Sequence, residues 1–172
     1  MIRITTLCLL VTISTPVISS GGDKLVESAI KNDIPFLKKS IENGASVNSR
    51  NFNNTTILMA ASINGHKQLV EFLLKNGANP NIENLQGIAP LYGACMLGHA
   101  EVVKLLLNNG ANPNAKINKP IATPLMSAVV NYRTKIISLL LKNGANINIK
   151  NSEGKTALEL AKNEEVRGLL GK

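Results

Sequence analysis

The stretch LKNGANPNIE at Leu74–Glu83 decides the fold, because three related stretches repeat it along the chain. They are IENGASVNSR from Ile41, LNNGANPNAK from Leu107 and LKNGANINIK from Leu141. Their glycines, Gly44, Gly77, Gly110 and Gly144, lie 33, 33 and 34 residues apart. A fixed period of this length is typical of a stacked array in which each unit packs only on its neighbours. The sequence therefore predicts a solenoid and not a core closed on itself.

Each period contains two helical segments. Thr56, Thr123 and Thr156 precede the first segment, where a hydroxyl can accept from the free amides of the first helical turn. Pro90 and Pro124 stand at the first helical position, where a missing N–H costs nothing. The second segment is rich in Leu and ends at the repeated Asn-Gly, whose glycine suits the left-handed end of a helix. We therefore expect a helix-turn-helix in each unit.

This pattern resembles the ankyrin repeat. The family motif T-P-L-H-x-A appears as TILMAA at Thr56, APLYGA at Ala89, TPLMSA at Thr123 and TALELA at Thr156. The motif L-L-x-x-G-A-x-x-N stands almost intact at Leu73, Leu106 and Leu140. The resemblance implies an all-α solenoid of about five helix-turn-helix units with short β-hairpin fingers. The predicted units span about 23–50, 51–83, 84–116, 117–150 and 151–172.

Two kinds of position depart from the family pattern. The His of the first motif is replaced by Met59, Tyr92, Met126 and Glu159, so the hydrogen bonds that it makes between repeats are not expected there. The Asp that usually follows Gly-Ala is replaced by Ser46, Asn79, Asn112 and Asn146. The chain does keep a Gly-His turn at His66 and His99, where the repeat fold uses the imidazole to bond backbone.

Residues 1–20 have the layout of a cleavable secretory signal. A positive start at Met1–Arg3 precedes the apolar stretch 4–13, and small residues follow, with cleavage predicted after Ser19 or Ser20. The stretch is too short and too rich in Thr and Ser for a membrane span of about 20 residues. We predict export without stable membrane insertion after cleavage, and a retained anchor is the alternative. Heavy use of Asn, Ile and Lys indicates an AT-rich genome, and together with the short signal this composition indicates a periplasmic or secreted bacterial protein.

The charge does not point to nucleic acid. The net charge is +8, but the lysines are spread over all repeats and form no dense basic run. Aromatic residues make up 3% of the chain and Trp is absent, which argues against a stacking platform for single-stranded nucleic acid. We therefore predict no nucleic-acid binding.

The sequence contains no recognisable catalytic or metal-binding motif. The candidate carboxylates Glu83, Glu153 and Glu159 are isolated from one another, and the histidines lie in separate units without ligands nearby. If the signal is removed, Cys95 is the one cysteine left, which excludes an intramolecular disulfide. We expect a small buried thiol there, no cofactor and no metal. A scattered enzymatic site is the competing hypothesis, and we predict that the chain is not an enzyme.

The resemblance implies a concave groove lined by the hairpin tips and the first helix of each unit. Several residues at those positions are apolar, and an exposed apolar patch marks a binding surface. Arg50, Lys116 and Lys155 belong to a basic rim around it. The alternative for Ile63, Met96 and Val130 is packing between units. The predicted partner-binding residues are Phe52, Leu85, Ile88, Met96, Leu97, Lys119, Ile121, Val130 and Lys150.

The predicted function is therefore non-catalytic protein binding by a monomer through this groove. The expected partner is another protein with an acidic rim, met outside the cytoplasm. Small exported ankyrin proteins of this kind imply an inhibitor or immunity protein, or a helper of an exported partner. The alternatives are a secreted effector that binds host proteins and a membrane-anchored scaffold.

Overall fold

The computed structural model describes residues 21–118 and 121–171. The predicted signal peptide at 1–20 and Lys119 of the predicted binding surface lie outside the described residues, and Ile121 is described only as part of a strand. The elements are α1 (Gly21–Ile30), α2 (Ile34–Glu42), α3 (Ile57–Ile63), α4 (Lys67–Lys75), α5 (Pro90–Leu97), α6 (Ala100–Asn108), β1 (Ile117–Asn118), β2 (Ile121–Ala122), α7 (Pro124–Val130), α8 (Thr134–Lys142), α9 (Ala157–Leu160) and α10 (Glu164–Leu170).

The first helices begin where the capping residues predict. The hydroxyl of Thr56 accepts from the Met59 amide at 3.0 Å, and that of Thr123 accepts from the Met126 amide at 3.2 Å. Pro90 starts α5 as expected. These caps satisfy amides that would otherwise lack partners in the buried interior of the array.

The second helices end in a uniform way. The repeated glycines have φ between +82° and +93°, the left-handed conformation that the sequence predicts. The Asn before three of them donates its side-chain amide to the carbonyl four residues back, at 2.8 Å in each case. These three are Asn76, Asn109 and Asn143. Among the described residues, Asn43 is the equivalent residue of the first unit, and its side chain makes no such bond.

The turn between paired helices also needs a left-handed residue. Gly65 and Gly98 supply it with φ of 71° and 88°, whereas Asn32 and Tyr132 adopt φ of 58° and 56° at the equivalent places. Glycine at Gly65 has a second purpose, because a Cβ there would lie 2.6 Å from the ring of His99.

The helices stack in two rows. The first helices α1, α3, α5, α7 and α9 form one row, and α4, α6, α8 and α10 stack behind them. Contacts are closer within the first row, where small residues let the backbones approach. Gly93 illustrates this, because a Cβ there would meet Cγ1 of Ile63 at 2.5 Å. Leu73, Leu106 and Leu140 of the second row are fully buried, so the core is a continuous ribbon along the array.

An asparagine ladder, formed by the side chains of Asn48, Asn81 and Asn114, connects successive units. Their Oδ1 atoms accept from backbone amides of the next unit, at 2.7–2.8 Å. Two of them also donate through Nδ2, Asn81 to the Gly110 carbonyl at 2.9 Å and Asn114 to the Gly144 carbonyl at 3.0 Å. These hydrogen bonds link successive units in addition to the polypeptide chain that joins them. The sequence reasoning did not predict them.

The short fingers that the sequence predicts are not all alike. One finger has paired strands, with β1 antiparallel to β2 in the register Ile117–Ala122 and Asn118–Ile121. In the fingers at Asn51, Asn84 and Asn151, the Asn side-chain oxygen instead accepts two backbone amides, at 2.9–3.0 Å. These bonds help to close each turn, and in the finger at Asn51 the flanking residues Arg50 and Thr56 form a single antiparallel bridge.

Candidate functional site

The fingers stand side by side along one edge of the array. We call this the finger edge and define it as residues 50–55, 83–88, 116–118 with 121–122, and 150–155. The Leu85 amide donates to the carbonyl of Asn53 in the preceding finger at 3.2 Å, and the Phe52 amide donates to Oδ1 of Asp23 at 3.2 Å. These bonds hold the first two fingertips in place relative to α1 and to each other.

The largest apolar exposure lies at these two tips. Phe52 is 74% exposed and Leu85 is 66% exposed, the highest values among large apolar side chains of the described residues. The two residues occupy equivalent positions in neighbouring units, so they lie next to each other on the finger edge. Adjacent exposed apolar side chains of this size are typical of an interaction site.

The other predicted apolar residues lie at a second place. Leu97 and Val130 are each 40% exposed at the last residues of α5 and α7. The eight residues of α5 span about 12 Å at 1.5 Å per residue, so these side chains are a helix length away from the fingertips. Ile88 and Met96 are half-buried between the two places.

The middle of the first helices is closed. Met59 and Met126 are buried at the positions where the family motif has His, and Ile63 is half-buried against Gly93. Tyr132, which the sequence reasoning passed over, is 50% exposed in the turn after α7. Tyr132 stands where the preceding units have the turn glycines Gly65 and Gly98, and this feature of the sequence could have identified it as exposed. Accessible apolar surface is therefore concentrated at the finger edge and at the far helix ends.

Basic residues line part of the finger edge. Arg50, Lys116 and Lys150 are exposed there, and Lys155 is exposed with its Nζ 3.0 Å from Oε2 of Glu153. Glu83 is exposed at the equivalent position of the third unit and interrupts the row. Salt bridges as exposed as the Lys155–Glu153 pair contribute little to stability.

The titratable side chains of the first helices and turns have structural roles. Nε2 of His66 lies 2.9 Å from the Ile30 carbonyl, and Nε2 of His99 lies 2.9 Å from the Ile63 carbonyl, so both histidines connect neighbouring units as predicted. Glu159 accepts from the Thr156 amide at 2.7 Å and from its hydroxyl at 2.8 Å, and these bonds lower the pKa of the carboxyl. This pair caps α9.

The remaining candidates do not form a site either. Cys95 is fully buried, and burial raises the pKa of its thiol far above the ordinary value, as expected of an inert core residue. Across the described residues, no group of three or more His, Cys, Asp or Glu side chains could hold a metal ion.

An open depression of about 300 Å³ lies at the start of α6. Its polar lining includes His99, which is bonded to the Ile63 carbonyl, and Glu101, which pairs with Lys135 at 2.9 Å. The Lys135 ammonium holds the pKa of Glu101 below its usual range. His99 and Glu101 are therefore already engaged with the scaffold, and Lys67 is the other charged residue of the lining.

No helix in the described part of the chain combines the length and the apolar character needed to cross a bilayer.

Two family models match the chain. Residues 25–117 match the model for ankyrin repeats in three copies, and residues 122–152 match the model for a single ankyrin repeat. A comparison with curated proteins finds no significant match. The first of these models covers more than half of the chain. The chain belongs to the ankyrin repeat family.

Proposed function

We propose that the chain binds another protein through its finger edge and catalyses no reaction. Ankyrin repeats indicate a protein–protein interaction module, and proteins built from them are typically non-enzymatic. The observation that carries the proposal is the exposure of Phe52 and Leu85, 74% and 66%, on neighbouring fingertips. The proposed binding surface is therefore smaller than the groove that the sequence predicts: it is the finger edge, where apolar surface is most accessible.

The physical basis is burial of two anchors on a surface that is already formed. Covering a side chain such as Phe52 or Leu85 contributes about 1.5–3 kcal/mol. The Asn51 and Asn84 side chains close the two fingers, so little conformational freedom is lost on binding. Aromatic and aliphatic anchors of this type dominate the energetics of protein interfaces.

The basic residues Arg50, Lys116 and Lys150 favour a partner with an acidic rim. Their exposed charges raise the association rate and select the partner, and contribute less to affinity. The binding species in this proposal is a monomer, since the two anchors belong to one chain.

We further propose that binding takes place outside the cytoplasm. The support is the signal-like sequence of residues 1–20. In that compartment the chain acts as an inhibitor or immunity protein, or as a helper, for an exported partner. A secreted effector and an anchored scaffold remain the alternatives. The mass of the mature chain tests the localisation, because a start at Ser20 or Gly21 rejects the anchor and an intact N-terminus rejects cleavage.

Affinity capture from the exported fraction tests the finger edge. The bait is the wild-type chain or the double variant Phe52→Asp with Leu85→Asp, and each is checked for native thermal unfolding. The matched control is Tyr132→Asp, which adds a charge at an exposed aromatic away from the fingers. We expect the double variant to lose partners that the control keeps. Partners that survive the double change would show that another surface binds them.

A further inference from the structure

We infer that the partner contributes an extended acidic segment with a fixed order, in which apolar residues contact units two and three and acidic residues contact units four and five. This inference rests on the proposed function, because it describes what the finger edge recognises. The finger edge is divided along its length into two halves of different chemistry.

The first half is apolar and has no excess of positive charge. Its tips present Phe52 and Leu85, which are held in place by Asp23 and Asn53. The ionisable residues of these two fingers are Arg50 and Glu83, whose charges cancel. An acidic segment is therefore not favoured here, whereas an apolar one is.

The second half is polar and basic. The residues that match Leu85 in units four and five are Asn118 and Ser152, both of them polar residue types. Lys116, Lys150 and Lys155 are exposed, and the described residues of these two fingers offer one opposing carboxylate, that of Glu153. Glu153 pairs with Lys155. Within the described residues, Lys116 and Lys150 therefore have no ion-pair partner.

A carboxylate near Lys150 does not remove this contrast. Lys150 and Lys155 lower the pKa of Glu159, but only weakly compared with Thr156. The Glu159 carboxylate is engaged by the amide and hydroxyl of Thr156. Lys150 therefore keeps its capacity to pair with an incoming Asp or Glu.

The spacing of the fingers sets the length of the segment. Packed helices lie roughly 8–10 Å apart, so the three gaps between four neighbouring fingers extend over about 24–30 Å. An extended chain rises about 3.3 Å per residue, so this distance corresponds to about seven to nine residues. The geometry thus points to a segment of this length from another protein, with an apolar end and an acidic end.

Selection from a displayed library of random twelve-residue peptides tests the inference on the whole chain. We expect the enriched peptides to carry apolar residues at one end and Asp or Glu at the other. With Phe52→Ser and Leu85→Ser, the apolar preference disappears and the acidic one stays. With Lys116→Glu and Lys150→Glu, the preference at the acidic end changes to Lys or Arg. The matched control, Lys39→Glu with Lys142→Glu on second helices, selects the same peptides as the wild type.

A synthetic enriched peptide and a version with its two halves exchanged then test the order. We expect the exchanged peptide to bind at least about tenfold more weakly, because its charges meet the apolar tips and its apolar residues meet the lysines. Equal binding of the two peptides overturns the fixed order and leaves the proposed function standing. Failure to enrich any peptide overturns the inference, since the finger edge then recognises no extended segment, whereas the proposed function is tested separately by the affinity capture.

Discussion

At the scale of single residues, asparagine makes several of the hydrogen bonds that connect one unit to the next. The side-chain oxygens of Asn48, Asn81 and Asn114 accept amides of the following unit, and two of the side chains also donate to carbonyls. A carboxylate has oxygens that only accept when ionised. The neutral amide can do both, and its bonds do not depend on the ionisation of the side chain.

The asparagine ladder predicts that replacing Asn by Ala at equivalent positions of different units lowers the free energy of unfolding by different amounts. Asn81→Ala removes an acceptor and a donor that bridge two units, and we expect the free energy of unfolding to fall by about 1–2 kcal/mol. Asn148→Ala is the matched control, because the Asn148 side chain makes no hydrogen bond to another unit within the described residues. Chemical denaturation of both variants measures the difference. Equal losses would mean that the ladder does not stabilise the array.

At the scale of elements, the sequence predicted the helix starts and ends well because they depend on local chemistry. Thr caps, Pro at the first position and Gly in the left-handed conformation act within four residues of each other. The fingers were predicted less well. In the sequence, an Asn at a finger position can either close a turn through its side chain or precede a strand. The two outcomes differ in where the following backbone amides lie, which the sequence does not show; the residues concerned are Asn51, Asn84 and Asn151.

The short helix α9 depends on its capping box more than the other helices do, because it has four residues. The bonds from the Thr156 amide and hydroxyl lower the pKa of Glu159 in the folded chain. This interaction therefore stabilises the fold above the unfolded pKa of the carboxyl and is lost as pH falls through the folded pKa. We expect Thr156→Val to raise the pKa of Glu159 part of the way to its ordinary value, as measured by NMR titration.

Glu159→Gln provides the control for this effect. The amide oxygen of Gln still accepts from Thr156 but does not titrate, so we expect the acid-dependent loss of stability at α9 to disappear. An unchanged pKa of Glu159 in the Thr156→Val variant would show that the hydroxyl does not contribute to it.

At the scale of the whole molecule, burial depends on the position of a unit in the array. Leu58, Leu91 and Leu125 occupy the same place in three successive first helices, and each is 1% exposed. Leu158 occupies that place in α9 and is 40% exposed. Helix α7 packs on α9, and no further first helix follows α9 in the described residues.

This difference in burial predicts that a Leu→Ala substitution at this place costs more stability in a central unit than in the last one. Leu91→Ala removes a fully enclosed side chain, and we expect a loss of about 2–5 kcal/mol in the free energy of unfolding. Leu158→Ala is expected to cost less than about 1 kcal/mol, because much of the side chain already contacts solvent. Denaturation curves of the two variants give the comparison. A similar cost at both positions would contradict the end-to-centre gradient of stability.

The binding surface was harder to predict than the array. Phe52 and Leu85 were recognisable because they are large apolar residues at turn positions, where solvent favours polar ones. The sequence did not show that Leu97 and Val130 lie a helix length away, or that buried methionines close the surface between. Those facts depend on how neighbouring units pack, which the repeat pattern does not specify.

The Asn caps of the helices also determine how the chain ages chemically. In an Asn-Gly pair, the glycine nitrogen can attack the Asn side-chain carbonyl, release ammonia and form a ring that water opens to Asp or isoaspartate. The chain has five such pairs. In four of them the side-chain amide donates to a helix carbonyl at 2.8 Å, which holds it away from its own glycine.

Asn43-Gly44 is the fifth pair and lacks this restraint among the described residues. We therefore expect Asn43 to deamidate first when the protein is stored at mildly alkaline pH, with the other four pairs as internal controls. Peptide mass mapping over time measures the order, and faster conversion at any of the four would contradict it. Deamidation of Asn43, in the first unit, is thus the earliest change that we expect in the covalent structure of the chain.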